Sequence, residues 1–321
     1  MSPNLLEWVK VGRIHTASLT MPLALIGYVY GGGDDPVKGF LWLLFGLVFH
    51  YSGFLQNNVH DYPYDLKDPN KQHFPLVRGV IKLRHAFIVA YSGLIGVSAI
   101  PLMLGGLPSF TAYILGVFIP GTAYNLFSKK TLLKPIPISI CFPMIPLTSY
   151  LSASSRLDTP ITALIAAFVT LFAYQIAFSG ELKDIEREEK NILRKIGSVK
   201  GVVAFAAALK ALNIAAAAYL FSILWDGNPA VLAAFTLTTI AILETLYMQV
   251  RDYLSYVGGN MDRNRALRNM SFMEVLSYTM VVVASSTVLG HIYTPLWVIL
   301  PIAWFIAMNR VIFGTRLFPR V

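Results

Sequence analysis

Two short segments of this sequence combine acidic and amide side chains in a chain that otherwise carries little charge. The residues of interest are Asn57, Asp61 and Asp65 in the first acidic segment (residues 57–65) and Asp184 and Glu188 in the second (residues 181–190). Within each segment these residues are four positions apart, a spacing that places side chains on one face of a helix. Glu181 lies three positions before Asp184 and extends the second group.

The chemistry that suits these side chains is the binding of Mg²⁺. Two acidic faces that meet repel each other unless a divalent cation lies between them, and hard oxygen ligands favour Mg²⁺, which also binds substrate phosphates. Neighbouring Lys and Arg side chains would then complete a diphosphate site. Two alternatives remain open. In the first, the carboxylates are merely solvated and balance the charge of nearby lysines, as we expect for Glu186 and Glu189. In the second, Pro63 disfavours helix at Tyr62 and gives the first segment loop geometry.

The composition shows what kind of protein must position these groups. The chain has 321 residues, of which 13% are charged and 55% hydrophobic, with a mean hydropathy of +0.59. Soluble domains carry about 25% charged residues, so the chain is an integral membrane protein. The net charge of +9 does not indicate nucleic-acid binding, because the basic residues are confined to short gaps between apolar runs. Cys141 is the sole cysteine, which excludes a disulfide framework.

Ten apolar segments have the length of about 20 residues that a membrane-spanning helix needs. They lie at 13–31, 37–59, 85–105, 108–127, 132–153, 159–180, 201–225, 229–250, 271–290 and 294–313. The fifth contains four prolines and is predicted to be kinked. The sequence therefore predicts an all-α fold, a polytopic transmembrane bundle of nine to ten spans that forms a single domain over 1–321.

The positions of the basic residues predict the orientation of the bundle. All Lys and Arg residues except Lys38, Arg156 and Lys210 fall in gaps on the side of the N-terminus, and the positive-inside rule places that side in the cytoplasm. Both termini and the two long loops, 60–84 and 181–200, are therefore expected on the cytoplasmic face of a plasma membrane. Lys134 is interpreted as one of these interfacial anchors. Lys210 lies within a span and is a functional candidate.

The positions of the two acidic segments also indicate an internal repeat. Each follows an even-numbered span, the second and the sixth, which suggests degenerate halves at about 1–130 and 131–270. The last apolar run, 294–313, would be an additional span. No cleavable signal peptide is recognisable at the N-terminus, so the first span is expected to act as its own insertion signal.

The two acidic segments resemble the signatures of the UbiA-type intramembrane prenyltransferase superfamily. The first signature is an Asn-Asp-x-x-Asp-x-x-x-Asp run after the second span, and the second is an Asp-x-x-x-Asp run after the sixth span, commonly preceded by Lys. This sequence departs from the two signatures at Asn58 and Glu188, each of which replaces an Asp. It also has Phe74 where family members commonly carry an Arg before Pro75, after the first signature. Arg78 is a candidate to compensate for the last change.

The resemblance implies Mg²⁺-dependent transfer of a prenyl group from a polyprenyl diphosphate to an acceptor within the lipid bilayer. It implies that Asp61, Asp65, Asp184 and Glu188 are catalytic and that these four, with Asn57, bind the metal. The residues expected to contact the diphosphate are Arg13, Arg78, Tyr124, Lys129, Lys130 and Lys183. The acceptor remains open between an archaeal-type ether lipid, an aromatic quinone precursor, a porphyrin and a carotenoid end, the first two being preferred.

Other functions are less well supported by the sequence. Secondary transporters also contain internal repeats, but their sites lie near the membrane midplane, whereas both acidic segments lie at span ends. A CDP-alcohol phosphotransferase would carry an Asp-Gly-x-x-Ala-Arg signature, which this sequence lacks. A non-catalytic relative of the prenyltransferases remains an alternative because of Asn58 and Glu188.

Overall fold

A computed structural model shows a helical chain, and it describes residues 5–127, 129–186, 190–260 and 303–308. These described residues contain no β-strand. The α-helices are α1 Leu5–Val11, α2 Thr20–Tyr30, α3 Pro36–Asp65, α4 Leu83–Val97, α5 Ala99–Ala112, α6 Ile119–Phe127, α7 Pro135–Cys141, α8 Met144–Tyr150, α9 Thr159–Tyr174, α10 Glu181–Lys183, α11 Ile192–Ile196, α12 Val199–Ile223 and α13 Pro229–Val257. Short 3₁₀ helices occur at Ile14–Ser18 and Pro69–Lys71, and π-helical turns at Tyr113–Phe118 and Gln175–Gly180.

Several helices have the length and hydropathy of membrane spans. Among the described residues there are five such segments, Pro36–Asp65, Ala99–Phe127, Thr159–Gly180, Val199–Ile223 and Pro229–Val257. Thr16–Tyr30 and Leu83–Val97 are shorter apolar helices. The chain is therefore an integral membrane protein with an all-helical fold. The expected span at 271–290 lies outside the described residues, and of the expected span at 294–313 only the helical residues 303–308 are described.

The helices form two compact units. The first contains α1–α6, α8 and residues 303–308. In this unit α3 packs against α2 and α4, and the edge of Trp42 meets Phe45 with ring centroids 5.2 Å apart. Gly27 allows α2 to approach α8 closely, because a Cβ atom at that position would overlap the carbonyl oxygen of Pro146. Such small residues are typical of contacts between membrane helices.

The second unit contains α7 and α9–α13. Helix α12 packs against both α9 and α13. Its apolar core includes Tyr174, Phe178, Leu182, Ile185, Leu193, Val202, Ala206 and Tyr253. Because Leu182 and Ile185 belong to the second acidic segment, that segment is anchored directly in the core of its unit.

Proline and glycine residues interrupt the helices in two places. The predicted kink in the fifth span is confirmed, since α7 ends at Cys141 and α8 begins after Pro143. A second interruption occurs at Gly106, which has φ 62° and breaks the helical backbone of α5 in the gap between the third and fourth apolar segments. In contrast, the expected loop at 60–84 begins only after Asp65, because α3 continues through Pro63.

Candidate functional site

The first acidic segment forms the last turns of α3, a helix of 30 residues. Such a helix is about 45 Å long, whereas the hydrocarbon core of a bilayer is about 30 Å thick, so its end reaches the membrane surface. Asn57, Asp61 and Asp65 share one face of this helix and are half-buried. Their positions follow from helical periodicity alone.

The helix persists through Pro63, so of the two geometries left open for the first segment the structure has the helical one and not the loop. A proline inside a helix removes one backbone hydrogen bond, but neighbouring structure can compensate for the loss in membrane proteins. Here Val59 and Tyr62 pack in a cluster with Leu76 and Ile81 of the following loop. This apolar contact holds the last turn of α3 in place.

A hydrogen bond within the segment orders two of the predicted metal ligands. Asn57 Nδ2 donates to Asp61 Oδ2 at 2.7 Å. The amide nitrogen is thereby directed at the carboxylate, and the amide oxygen is the atom that a hard cation would take. The pair is preorganised by the helix on which both residues lie.

Basic side chains surround Asp65. Lys71 Nζ lies 4.0 Å from Asp65 Oδ1, and Arg13, Lys129 and Asp61 are within electrostatic range of the same carboxylate. The structure therefore brings four predicted residues of the first unit together with one that was not predicted, Lys71. The four are Arg13, Asp61, Asp65 and Lys129. Two acidic and three basic groups at one helix end are suited to bind a metal together with an anionic phosphate.

Arg13 is held in an unusual backbone conformation. Its φ of 48° lies in the left-handed region, and it is the one such non-glycine residue in the described chain. Its carbonyl oxygen accepts hydrogen bonds from Thr16 N and from Thr16 Oγ1, both at 2.9 Å. The buried ring of His50 lies 3.3 Å from the same oxygen. Residues kept in strained conformations by their surroundings cluster at functional sites.

Asn58, which departs from the family signature, has a structural role. Its side chain is buried, and Nδ2 donates to the carbonyl oxygen of Val11 at 2.6 Å. An aspartate could not donate this hydrogen bond. Asn58 therefore links α3 to the end of α1. The presence of Asn in place of the family's Asp at this position does not remove a ligand from the face that carries Asn57 and Asp61.

The remaining predicted residues of the first unit differ in exposure. Tyr124 and Lys129 are half-buried, and Arg78 is exposed in the loop after α3. Asn125, which was not among the predicted residues, is buried and donates from Nδ2 to Gln56 Oε1 at 2.7 Å. Gln56 Nε2 in turn donates to Thr122 Oγ1 at 3.1 Å. The signal was available, since amide side chains in apolar spans need partners.

The second acidic segment has a different structure. The π-helical turn Gln175–Gly180 leads into α10, which has only three residues, and Asp184 follows it with a non-helical ψ of 11°. Asp184 is half-buried. Glu188 and the side chain of Lys183 lie outside the described residues, and Lys130 is exposed in the second unit. The four-residue spacing of Asp184 and Glu188 therefore does not lie on a continuous helix.

Glu181 and Lys134 are buried together in the second unit. Glu181 is 0% exposed and its Oε1 atom lies 2.5 Å from Lys134 Nζ. The interpretation of Lys134 as an interfacial anchor is therefore wrong, because its ammonium group is paired inside the protein. Lys210 is also buried, with Nζ 3.6 Å from the ring centroid of Tyr174, so it does not extend to the membrane surface.

The donor atoms of the acidic segments suit Mg²⁺ rather than a softer metal. They are carboxylate and amide oxygens, and Mg²⁺ uses few protein ligands because waters and substrate phosphates complete its shell. Within the described ranges, no three His, Cys, Asp or Glu side chains form a cluster that could hold a metal by themselves.

The sequence matches one family model. Residues 20–258 of the 321-residue chain match the UbiA prenyltransferase family, a range that includes both acidic segments. No curated protein matches the chain by sequence.

Solved structures share the fold at low sequence identity. An apo UbiA homologue from Aeropyrum pernix K1 has a TM-score of 0.66 at 15% identity, covering 85% of this chain and 98% of that one. A digeranylgeranylglyceryl phosphate synthase has a TM-score of 0.63 at 17% identity, covering 88% and 98%. A UbiA homologue from Archaeoglobus fulgidus, bound to GPP and Mg²⁺, has a TM-score of 0.63 at 17% identity, covering 87% and 99%.

Proposed function

Because the chain belongs to the UbiA prenyltransferase family, we propose that it transfers a prenyl group from a polyprenyl diphosphate to an acceptor within the membrane. The bond between the prenyl C1 atom and the diphosphate oxygen breaks, and a new bond forms between C1 and a nucleophilic carbon or oxygen of the acceptor. The acceptor loses a proton, and diphosphate leaves.

One observation carries this proposal. Asn57, Asp61 and Asp65 lie on one face at the end of a membrane helix, and Asp65 has Arg13 and Lys129 within electrostatic range. Carboxylates alone would bind a cation, and basic residues alone would bind an anion. Both together at a membrane surface suit a metal-bound diphosphate whose apolar chain lies in the bilayer.

The metal ligands are proposed to be Asn57, Asp61 and Asp65 in the first acidic segment and Asp184 and Glu188 in the second. When bound, Mg²⁺ supplies Lewis acidity that stabilises the negative charge of the leaving diphosphate. A homologue of the same fold was solved with GPP and Mg²⁺, which supports both the metal and the class of donor.

Basic residues of this chain assist departure of the diphosphate. Arg13, Arg78, Lys129, Lys130 and Lys183 carry the positive charge that the developing anion needs, and Tyr124 donates a hydrogen bond to it. Charge-assisted hydrogen bonds from such groups are about twice as strong as neutral ones. The residues therefore act by binding and orienting the leaving group.

The acceptor is proposed to be an archaeal-type ether lipid or an aromatic quinone precursor. The likeness to a digeranylgeranylglyceryl phosphate synthase supports the lipid. We further propose that both termini and both acidic segments face the cytoplasm of a plasma membrane, since nearly all Lys and Arg residues fall on that side of the predicted spans.

The test uses purified protein in detergent with radiolabelled geranylgeranyl diphosphate and Mg²⁺. Geranylgeranylglyceryl phosphate and 4-hydroxybenzoate are offered in separate reactions, with Asp61→Ala and Asp184→Ala as inactive controls. Metal-dependent transfer to one acceptor, lost in both variants, supports the function and identifies the acceptor. Release of diphosphate without transfer rejects both acceptors but retains the chemistry. If donors of every chain length stay intact, the chain is a non-catalytic relative.

A further inference from the structure

The second acidic segment is closed by a buried ion pair that the proposed chemistry does not use. Glu181 begins the segment, three residues before Asp184, and its carboxylate contacts Lys134 at the start of α7. Removing two charges from water carries a large free-energy penalty, which their mutual attraction must offset. An apolar pair of similar size would stabilise the fold as well, so this pair is suited to fixing a geometry rather than adding stability.

Glu181 also contacts the residues that directly follow the segment. The backbone N–H of Ile192 donates to Glu181 Oε2 at 2.7 Å. Asn191 Nδ2 donates to the backbone carbonyl oxygen of Glu181 at 2.8 Å, and Asn191 is 1% exposed. Glu181 is therefore bonded to Asn191 and Ile192, through its backbone carbonyl oxygen and its buried carboxylate.

Asn191 links these contacts of Glu181 to the next helix, α11. Its Oδ1 atom accepts a hydrogen bond from Arg194 N at 3.2 Å and so caps the N-terminus of α11. The same apolar cluster contains Leu182 and Ile185, which follow Glu181, and Leu193, which follows Ile192. The backbone on either side of Asp184 is thus held by the polar contacts of Glu181 and by the apolar contacts of Leu182 and Ile185.

We propose that Glu181, Lys134 and Asn191 are positioning residues that fix the backbone of residues 181–186, so that Asp184 is presented to the metal-bound diphosphate. Glu181 is not itself a metal ligand, because its carboxylate already serves Lys134 and Ile192. This inference rests on the proposed function. The ion pair replaces the helical scaffold that orders Asp61 and Asp65, since α10 ends before Asp184.

The test compares Glu181→Gln with Glu186→Gln, a matched change at an exposed position of the same segment. Glutamine can still accept from Ile192 N–H but removes the ion pair. Glu181→Gln is expected to raise the Mg²⁺ concentration for half-maximal diphosphate release by about tenfold, as for other residues that orient metal ligands, while kcat at saturating Mg²⁺ recovers. Amide hydrogen exchange of residues 182–192, measured without metal, is expected to be faster in this variant only.

A merely structural role gives a different result. If Glu181→Gln lowers the melting temperature and kcat but leaves the Mg²⁺ requirement and the local exchange equal to those of Glu186→Gln, the proposal is overturned. Should Glu181→Gln not fold, Asn191→Ser serves instead, because serine can cap α11 but is too short to reach Glu181. Lys134→Arg retains the charge and is expected to keep the wild-type Mg²⁺ requirement.

Failure of the proposed function is separable from failure of this inference. If wild-type protein releases no diphosphate at any Mg²⁺ concentration, the prenyl-transfer proposal fails. The exchange comparison still reports whether Glu181 holds the segment, since it needs neither metal nor substrate. If exchange of 182–192 is the same in wild type and in both Glu181→Gln and Asn191→Ser, the positioning role is rejected irrespective of activity.

Discussion

The first acidic segment ends a continuous helix of 30 residues, whereas the second follows a π-helical turn and extends beyond a helix of three residues. In the first, Asn57 and Asp61 are ordered by the helix and by a hydrogen bond between neighbouring turns. In the second, Asp184 lies in a turn, and Glu181, three residues before it, is hydrogen-bonded to Asn191 and Ile192.

The difference shows that one pattern of acidic residues can be supported in two ways. In the first segment, the local backbone hydrogen bonds of the helix align Asn57 and Asp61, while apolar contacts with Leu76 and Ile81 hold the last turn. A turn has no such scaffold, and the second segment depends on Lys134, which is far away in the sequence. Changes to distant residues should therefore harm the second segment more than the first.

The largest expected effect is loss of a carboxylate from the first segment. Asp61→Ala should lower the rate of diphosphate release by about four orders of magnitude, equivalent to about 5–6 kcal/mol of activation free energy, because a metal ligand is lost. The fold should stay intact, since Asp61 is half-buried at a helix end. Radiolabelled diphosphate release and the melting temperature are measured together. An unfolded Asp61→Ala would show that the helix alone does not order this segment.

The next effect concerns the buried ion pair of the second segment. Lys134→Met leaves the Glu181 carboxylate buried without its counter-charge and should destabilise the protein by about 3–5 kcal/mol. The double variant Lys134→Met/Glu181→Gln should recover most of this loss. Thermal unfolding in detergent is the measurement.

The matched control for this change is Lys71→Met, which removes the ion-pair partner of Asp65 in the first segment. Lys71 is 4.0 Å from Asp65 and both side chains are partly exposed, so its loss should cost at most about 1 kcal/mol. Equal destabilisation by Lys71→Met and Lys134→Met would contradict the contrast between the two segments.

A smaller effect separates the two adjacent asparagines of the first segment. Asn58→Asp restores the more common family residue, yet it should destabilise the fold by about 2–3 kcal/mol, because a buried carboxylate would face the Val11 carbonyl oxygen. The Mg²⁺ requirement should not change. Asn57→Asp should do the reverse, with a changed Mg²⁺ titration and little change in melting temperature. A lower Mg²⁺ requirement in Asn58→Asp would show that position 58 faces the metal.

The smallest effect is expected at Arg13. Both Arg13→Ala and Arg13→Gly should raise the KM for the prenyl diphosphate, because each removes the guanidinium group. Arg13→Gly should be more stable than Arg13→Ala by about 1–2 kcal/mol, since glycine adopts the left-handed conformation without strain. Thermal unfolding of the two variants gives the difference, and equal melting temperatures would mean that the strain is relieved elsewhere.

Much of this protein could be predicted from local sequence patterns. The apolar runs predicted an all-helical membrane protein because a backbone in lipid must satisfy its own hydrogen bonds. The prolines of the fifth span predicted a break in the helix because proline acts locally on the backbone. The acidic segments and the basic residues around them were also visible, since their residue types indicate metal and phosphate chemistry directly.

Other features depend on contacts between residues that are distant in the sequence. Nothing near Lys134 indicates that it pairs with Glu181, and nothing near Asn58 indicates that it binds Val11. The continuation of α3 through Pro63 depends on packing against Leu76 and Ile81, which outweighs the local preference of proline. The sequence by itself thus determined the fold class and the chemistry of the site, because these follow from composition and local pattern. Which polar residues carry that chemistry and which hold the structure was decided by tertiary contacts, because burial and pairing exist only in the folded chain.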